Sequence, residues 1–300
     1  MPNDVHRTGD RTFFLCAEVS RRHRAGWRTR ASPLTWSDAP VEDRTPERDS
    51  DHKQPAARTL FEQQWHERFV EFASSADDDA GIAGWSPNGL DTRFRFFRRL
   101  WAPVPCGATY IDVGCGAATY TRWISAQGVY IIGVDYSHPT LLKARARTPP
   151  EFPLCAGDAT KLPFATESVD GVLCFGVLQA VSDSASVVGE LARVLKPGGD
   201  LWIDALNGSG VAARVERARL RLRGKDMHLR YESRVRLGRV LCNAGFVDIV
   251  PHWLPIAPSR LRSLQPMLET NGARYAMKFI PGLGPLLSHA FILRARRRQT

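Results

Sequence analysis

The sequence lacks any long apolar run, and its cysteines are few and scattered. No window approaches the roughly 20 consecutive apolar residues that a membrane-spanning helix requires. The N-terminus contains arginines but not the uninterrupted apolar stretch of a secretory signal. The six cysteines form no C-x-x-C pair and no Cys/His cluster at metal-ligand spacing. We therefore expect a cytoplasmic protein without a bound metal.

Acidic residues are also under-represented, with 31 Asp and Glu against 41 Lys and Arg, for a formal net charge of +10. Much of this excess lies near the ends, where the first 30 residues contain seven arginines and residues 294–298 contain four. Such charge runs are usually solvated tails. The two functional alternatives are attraction to an anionic membrane and attraction to nucleic acid.

The length of 300 residues suits one main domain with additions. Residues 1–56 show no apolar periodicity, and we expect them to form a disordered basic tail. Residues 57–105 are predicted to form a helical lid that contributes to substrate choice. Residues 106–300 are predicted to form the main domain, with insertions at 208–230 and 255–287.

Strands alternate with helices through most of the main domain. Helical segments follow the first, second and fourth of five short apolar runs, and two further apolar runs lie towards the C-terminus. The seven runs are residues 109–113, 129–134, 152–156, 169–175, 200–206, 246–253 and 288–296. Alternation of this kind implies parallel pairing with right-handed crossovers and helices on both faces. The sequence predicts a doubly wound α/β fold with a mostly parallel seven-stranded sheet. Pro197-Gly198-Gly199 is expected to stop the helix before the fifth strand.

Two regions outside this alternation have their own patterns. Aromatic residues recur at helical spacing in residues 61–72 and 94–101, on either side of an acidic loop at 77–79, and we expect them to pack in the core. Alternating arginines in 211–230 predict an amphipathic helix with a basic face. Residues 279–287 are apolar and rich in Pro and Gly; lid packing and an interfacial patch that touches anionic lipid are the alternatives.

The residues that suggest chemistry follow the first three strands. The first strand runs into Asp112-Val113-Gly114-Cys115-Gly116, where the glycines permit a tight turn and a close backbone approach to a ligand. Asp135 ends the second strand, nineteen residues after Gly116, where a carboxylate can accept from both hydroxyls of a ribose. Asp158 follows the third strand. Together these positions favour a cofactor that contains adenosine.

From about Tyr110 to Leu206, the sequence resembles the class I S-adenosylmethionine-dependent methyltransferases, especially their small-molecule branch. The resemblance rests on the glycine turn, Asp135, and three further segments in the family order: Gly157-Asp158-Ala159 with Leu162-Pro163-Phe164, Ser168-Val169-Asp170-Gly171-Val172, and Leu191-Ala192-Arg193-Val194-Leu195-Lys196-Pro197-Gly198-Gly199. It implies S-adenosylmethionine as the cofactor.

The resemblance also implies roles for individual residues. Gly114 and Gly116 would cradle the methionine part of the cofactor, and Asp112 would help to hold its amino group. Asp135 would bind the ribose, and the adjacent Tyr136 would also belong to the cofactor site. Asp158 and the backbone amide of Ala159 would bind the adenine.

Two departures from the family pattern matter. The third glycine of the family turn is replaced by Ala118, which leaves the turn feasible. Where many relatives have a histidine after the fourth strand, this sequence has Phe-Gly-Val-Leu-Gln at 175–179, so a histidine base there is not supported.

Other polar residues beyond the strand ends are possible bases, and none stands out: Gln179, Asp183, Asp204, Asn207 and Tyr231. For Asp204, pairing with an arginine is at least as good an interpretation. The catalytic residues stay unassigned.

Three hypotheses for the acceptor and activity follow. The first is methyl transfer to a small-molecule or lipid-linked acceptor, with peripheral contact to an anionic membrane. The second is RNA methylation; nucleic acid is less favoured because the tetrapeptides Asn-Pro-Pro-Tyr and Asp-Pro-Pro-Tyr of base-amino methylases are absent. The third is a non-catalytic cofactor-binding protein. A nicotinamide-dependent oxidoreductase fits less well, because Thr119 stands where the dinucleotide motif requires its last glycine.

Overall fold

The computed structural model describes residues 60–224, 229–257 and 259–299. The predicted tail, residues 1–56, lies outside these described residues. The described helices include none that is long and apolar enough to cross a membrane.

Seven strands form a single sheet in the order β3-β2-β1-β4-β5-β7-β6. They are β1 (Thr109–Val113), β2 (Tyr130–Asp135), β3 (Leu154–Ala156), β4 (Val169–Cys174), β5 (Leu195–Leu206), β6 (Phe246–Leu254) and β7 (Ala290–Arg297). The first five strands pair in parallel, and β7 runs antiparallel between β5 and β6. The predicted doubly wound, mostly parallel seven-stranded sheet is confirmed.

The described α-helices are α1 (Leu60–Ser75), α2 (Asp79–Ile82), α3 (Pro87–Leu100), α4 (Thr119–Ser125), α5 (His138–Arg145), α6 (Ser184–Val194), α7 (Val211–Leu222), α8 (Arg234–Asn243), α9 (Gln265–Leu268), α10 (Asn271–Phe279) and α11 (Leu283–Leu287). A 3-10 helix, Ser259–Leu264, precedes α9. The sequence had indicated no helices within 255–287 and only a loop at 77–79, so these short helices are additions to the prediction. The loop contains the N-cap of α2, because the Asp78 carboxylate accepts from the Gly81 amide at 2.9 Å.

The sheet separates two hydrophobic cores, because alternate residues of a strand point to opposite faces. Ile111 and Val113 of β1 join a core that includes residues of α6 and α8, whereas Tyr110 joins a second core beneath α3 and α4. The second core is aromatic. The Phe97 ring lies 5.3 to 5.9 Å, centroid to centroid, from five other rings: Trp101, Tyr120, Trp123, Phe175 and Trp202. The predicted core packing of the 94–101 aromatics is confirmed.

The fifth strand begins earlier than the sequence indicates. Helix α6 ends at Val194, as its pattern predicts, but the chain passes directly into β5. Pro197-Gly198-Gly199 does not separate the helix from the strand. It forms a bulge inside β5, because the register with β4 steps from Val169 opposite Leu195 to Gly171 opposite Asp200.

Gly171 in β4 tests the packing of the aromatic core. A Cβ at this position would lie 2.0 Å from Cε1 of the buried Tyr110 ring. We expect Gly171→Ala to lower the free energy of unfolding by about 1–3 kcal/mol in urea titrations. Gly189→Ala is the matched control, because Gly189 is exposed in α6 and a Cβ there meets nothing within 4 Å; it should be stabilising by about 0.5–1 kcal/mol. Equal effects of the two substitutions would contradict the predicted packing.

Candidate active site

The glycine turn after β1 requires a backbone that ordinary residues avoid. Gly114 has φ of 73° and Gly116 has φ of 54°. A Cβ at Gly114 would also lie 2.4 Å from Cγ2 of Val177. Both the left-handed conformation and the close approach therefore favour glycine at this position.

Ala118 takes the same backbone conformation as these glycines. Its φ of 62° and ψ of 29° are left-handed, and it precedes the first residue of α4. An alanine in this conformation costs about 1–2 kcal/mol relative to the right-handed one. The turn therefore forms with Ala118 in place of the third family glycine. The cost is the conformational energy of a left-handed alanine.

Asp135 fixes the glycine turn to the end of β2. One carboxylate oxygen accepts from the Gly116 amide at 3.0 Å, and the other accepts from the Ser137 amide at 2.9 Å. Burial is the main cause that raises the pKa of Asp135 to about 6, while these backbone hydrogen bonds oppose the shift. Asp135 lines a cavity next to the turn. Because each carboxylate oxygen can accept more than one hydrogen bond, the group can still accept from a ligand in that cavity.

Six of the seven predicted cofactor-binding residues line one cavity of about 340 Å³: Gly114, Gly116, Asp135, Tyr136, Asp158 and Ala159. Asp158 and Ala159 belong to a tight loop after β3. There, one oxygen of the Asp158 carboxylate accepts from the amide of Thr160 at 2.8 Å and from its hydroxyl at 2.7 Å. The Tyr136 ring packs edge-on against Phe69 of α1, with 5.8 Å between centroids. The structure therefore brings together residues that are spread over 46 positions of sequence.

Asp112 is the one predicted residue that does not line this cavity. It is only 1% exposed, and its carboxylate accepts from the Thr121 hydroxyl at 2.6 Å. Burial raises its pKa to about 7 from an ordinary value of 3.8, and the negative charge of Asp135 adds to the shift. The structure places Asp112 beneath the turn, so a direct contact with a cofactor's amino group is not supported by its position.

The N-terminal helices cover the cavity. Glu62 and Phe69 of α1, and Trp85 before α3, belong to the cavity wall. The Glu62 carboxylate accepts from the amide of Ser182 at 3.0 Å, which joins α1 to the loop before α6. The sequence predicts a lid in this region but does not identify these residues, because their partners in the main domain, Ser182, Tyr136 and Gly176, are distant in sequence.

The acidic loop attaches this cover to the main domain. Asp79 accepts from the Thr119 hydroxyl at 2.6 Å and also pairs with the guanidinium of Arg122, both in α4. Asp77 pairs with Lys143 of α5 at 2.8 Å. The first turn of α4 is therefore held both by the glycine turn and by the cover.

Beyond the glycine turn, the cavity continues past the end of β4, where its wall is aromatic. Trp85 lies against Gly176, since a Cβ on that glycine would lie 2.7 Å from the indole. Tyr120 and Phe175 complete this part of the wall, with 4.8 Å between their ring centroids. Burial raises the pKa of Tyr120 well above its ordinary value, so the phenol stays protonated and can act as a hydrogen-bond donor.

Three of the candidate bases, Asp204, Asn207 and Asp183, make hydrogen bonds or ion pairs that stabilise the fold. Asp204 is paired with Arg93 of α3 at 3.0 Å and accepts from the Gly176 amide at 2.7 Å, which supports the arginine-paired interpretation. The Asn207 amide group donates to the carbonyls of Pro285 and Ser288. Of the five candidates only Asp183 lines the cavity, and it is the N-cap of α6. The hydrogen bond from Ser186 is the main cause that lowers the pKa of Asp183, which makes it a weak base.

These features fit a cofactor that contains adenosine and a charged amino-acid part. Gly114 and Gly116 of the turn have no Cβ that would keep a ligand away from the backbone. The carboxylates of Asp135 and Asp158 line the same cavity. Among the described residues, no group of three or more His, Cys, Asp or Glu side chains could hold a metal ion.

The raised pKa values of Asp112 and Asp135 make stability depend on pH. Because both folded-state pKa values lie above the unfolded value, these groups favour folding fully below about pH 4 and lose that contribution as pH rises through 6 and 7. We expect Asp112→Asn to remove part of this loss, because the Thr121 hydroxyl can also accept from an amide. At pH 8 the free energy of unfolding of the variant should be higher than that of wild type. The shift of the Asp112 pKa from 3.8 to about 7 limits this gain to about 4 kcal/mol.

Urea titrations between pH 5 and 8, in the absence of ligand, measure this effect. Asp170→Asn is a suitable control, because Asp170 is also a strand carboxylate that accepts from a backbone amide, that of Thr109 at 2.9 Å, but it is only partly buried. Parallel curves for Asp112→Asn and wild type would show that Asp112 is ionised freely in the folded protein.

Comparison with known proteins agrees with the geometry. Residues 111–203 match the family model described as a methyltransferase domain. The biotin biosynthesis bifunctional protein of Cellvibrio japonicus is 32% identical over 165 residues, which cover 54% of this chain and 33% of that protein. The demethylmenaquinone methyltransferase of Corynebacterium kroppenstedtii is 34% identical over 115 residues, which cover 38% of this chain and 49% of that enzyme. The chain thus spans half or less of the length of these relatives.

Solved structures show the same fold. A phosphoethanolamine N-methyltransferase from Haemonchus contortus, in complex with S-adenosyl-L-methionine, superposes with a TM-score of 0.54 at 19% identity, covering 77% of this chain and 60% of that one. The segment that matches the family model, residues 111–203, contains most of β1, the glycine turn, Asp135 and Asp158, and the last three form part of the cavity wall. By its sequence motifs, its strand order and these similarities, residues 111–203 form a methyltransferase domain of the class I S-adenosylmethionine-dependent type.

Proposed function

We propose that the protein transfers the methyl group of S-adenosylmethionine to a small-molecule or lipid-linked acceptor. The observation that carries the proposal is one cavity that extends along the carboxyl edge of the sheet, from Asp158 after β3 to Gly176 after β4. Ligands of open parallel sheets bind at this edge. When bound, S-adenosylmethionine supplies an activated methyl group on a sulfonium.

The assignment of residues follows the strand order. Asp158 and Ala159 would hold the adenine, and Asp135 with Tyr136 would hold the ribose, at the β3 and β2 end of the cavity. Gly114 and Gly116 would accommodate the methionine part. We propose that Asp112 acts by its charge from beneath the turn, without direct contact, and that cofactor binding favours its ionised form.

The aromatic end of the cavity supports an apolar or aromatic acceptor. Trp85, Tyr120 and Phe175 would position the acceptor and exclude water, while the Tyr120 phenol could donate to an acceptor oxygen. Orientation of this kind can supply up to about 7–11 kcal/mol of a barrier in well-aligned reactions. The names of the two relatives, which refer to demethylmenaquinone and to biotin biosynthesis, agree with a small-molecule acceptor.

The setting of the reaction is also part of the proposal. We propose a cytoplasmic location with peripheral contact to an anionic membrane, which would suit a lipid-linked acceptor. The lid at 57–105 and the methyltransferase domain at 106–300 are proposed as the functional division of the chain.

Binding of S-adenosylhomocysteine tests the cofactor site. We expect calorimetry to give micromolar affinity for wild type and an affinity weaker by roughly 10-fold to 100-fold for Asp135→Ala, which removes hydrogen bonds to a charged acceptor. Asp170→Ala is the control, because Asp170 lies at the opposite end of the parallel strands and should bind as wild type does. Absence of binding by well-folded wild type would refute the proposed site.

Turnover with an acceptor tests the aromatic end. A panel of demethylmenaquinone and small phenols should yield S-adenosylhomocysteine with at least one acceptor. For that acceptor, Trp85→Ala should raise KM about 10-fold, since the substitution removes a large apolar contact, while the affinity for S-adenosylhomocysteine stays unchanged. Cofactor binding without turnover across a broad panel would favour the non-catalytic alternative.

A further inference from the structure

Helix α7 turns an apolar stripe to solvent. Val211, Val215, Ala218 and Leu222 recur at spacings of four, three and four residues, which places them along one side of the helix. All four are exposed, and Leu222 is 89% exposed. The side that packs against the protein carries the buried Ala213 and the half-buried Leu220 instead. In most surface helices the apolar side faces the core, whereas the apolar stripe of α7 faces solvent.

Arginines flank this stripe on both sides. By the helical period, Arg214 and Arg221 lie on one flank, and Arg219 with Arg223 lies on the other. All four are exposed, and none has an acidic partner in the described parts of the chain. Several arginines elsewhere are paired with carboxylates, as Arg93 is with Asp204 and Arg193 is with Glu190.

A second exposed apolar group lies on α10 and α11. The rings of Tyr275 and Phe279 are in contact, tilted by 39° with 4.3 Å between centroids, although these residues are 66% and 56% exposed. The Lys278 amine lies 5.1 Å from the centre of the Phe279 ring. Ile280 and Leu287 continue the exposed apolar surface towards the end of α11.

The two groups are neighbours at the edge of the sheet that carries the cavity. Helix α7 contacts α11, and α11 contacts α10. The side-chain amide of Asn207, immediately after β5, donates hydrogen bonds to the carbonyls of Pro285 and Ser288 at 2.6 and 2.8 Å. Both groups therefore attach to the carboxyl end of β5, next to the carboxyl end of β4, where the aromatic part of the cavity lies.

We propose that these residues form a docking face for an anionic lipid bilayer. We define the bilayer face as the α7 stripe with its flanking arginines, together with Tyr275, Lys278, Phe279, Ile280 and Leu287. Apolar side chains enter the boundary between headgroups and acyl chains, while guanidinium and ammonium groups meet lipid phosphates. A second copy of the chain is a poorer occupant, because a twofold contact would bring the same unpaired arginines together.

The proposal uses surface residues alone and does not depend on methyl transfer. It deepens the proposed membrane contact by naming the surface and the lipid charge that it requires. A bilayer on this face would lie beside the cavity edge, so an acceptor with a lipid tail could reach the site while its tail stays in the membrane.

Co-sedimentation of the full chain with vesicles tests the face. Wild type should bind vesicles of phosphatidylcholine mixed with phosphatidylglycerol, more weakly in high salt, and should not bind pure phosphatidylcholine. The double variant Val215→Glu and Leu222→Glu should lose at least tenfold in vesicle affinity. Both positions are exposed, so the fold should persist. Leu142→Glu is the matched control, since Leu142 is equally apolar and exposed but lies on α5.

The outcomes separate this proposal from the cofactor proposal. Loss of vesicle binding in the double variant, with S-adenosylhomocysteine affinity and circular dichroism unchanged, supports the bilayer face. Absence of binding by wild type, or equal binding by wild type and the double variant, overturns it. A wild-type dimer in ultracentrifugation that the double variant disrupts would also overturn it, because the face would then be a self-interface. Failure to bind S-adenosylhomocysteine would refute only the cofactor site.

Discussion

The cavity depends on one carboxylate that ties two loops together. Asp135 accepts the Gly116 amide with one oxygen and the Ser137 amide with the other, so the glycine turn and the start of α5 are held in fixed positions. The carbonyl of Val134 adds hydrogen bonds from the amides of Gly114 and Cys115. The cost of burying this charge appears as a raised pKa. In the proposed assignment the ribose hydroxyls would donate to this carboxylate, and such hydrogen bonds favour the ionised form and offset part of that cost.

The cover over the cavity is held by the packing of α3 in the aromatic core, by polar contacts at its periphery and by one buried ion pair. The acidic loop pairs with α4 and α5 at exposed or half-exposed positions, where individual ion pairs contribute little. The Arg93–Asp204 pair is different, since both side chains are buried and the guanidinium also stacks on Trp85, 3.9 Å from the ring centre. The buried pair and the contact of Phe97 with Trp202 anchor α3 firmly to β5, whereas the ion pairs of the acidic loop are open to solvent.

The sheet was predictable because each strand and each glycine turn is specified by local sequence. Asp135 and Asp158 could be placed in one site from the rule that parallel strands end at the same edge. The cover could not be placed, because Glu62 meets Ser182 and Arg93 meets Asp204 through packing that no local pattern encodes. The resemblance assigns Asp112 to the cofactor's amino group but says nothing of its burial, and the structure directs its carboxylate to the Thr121 hydroxyl. The bulge at Pro197-Gly198-Gly199 was missed because the same residues also stop helices.

The proposed methyl transfer has no obvious base among the described residues of the cavity, which bears on the acceptor that it would suit. Asp204 is occupied by Arg93 and by the Gly176 amide, and Tyr120 is held in its protonated form by burial. A wall of this kind can orient and desolvate an acceptor, but it is poorly equipped to remove a proton from a weakly acidic one. Since a methyl donor on a sulfonium is already activated, alignment suffices when the acceptor presents a ready lone pair or ionises near neutral pH. An acidic phenol or an enolisable carbon flanked by carbonyl groups meets that requirement, and an unactivated alcohol does not.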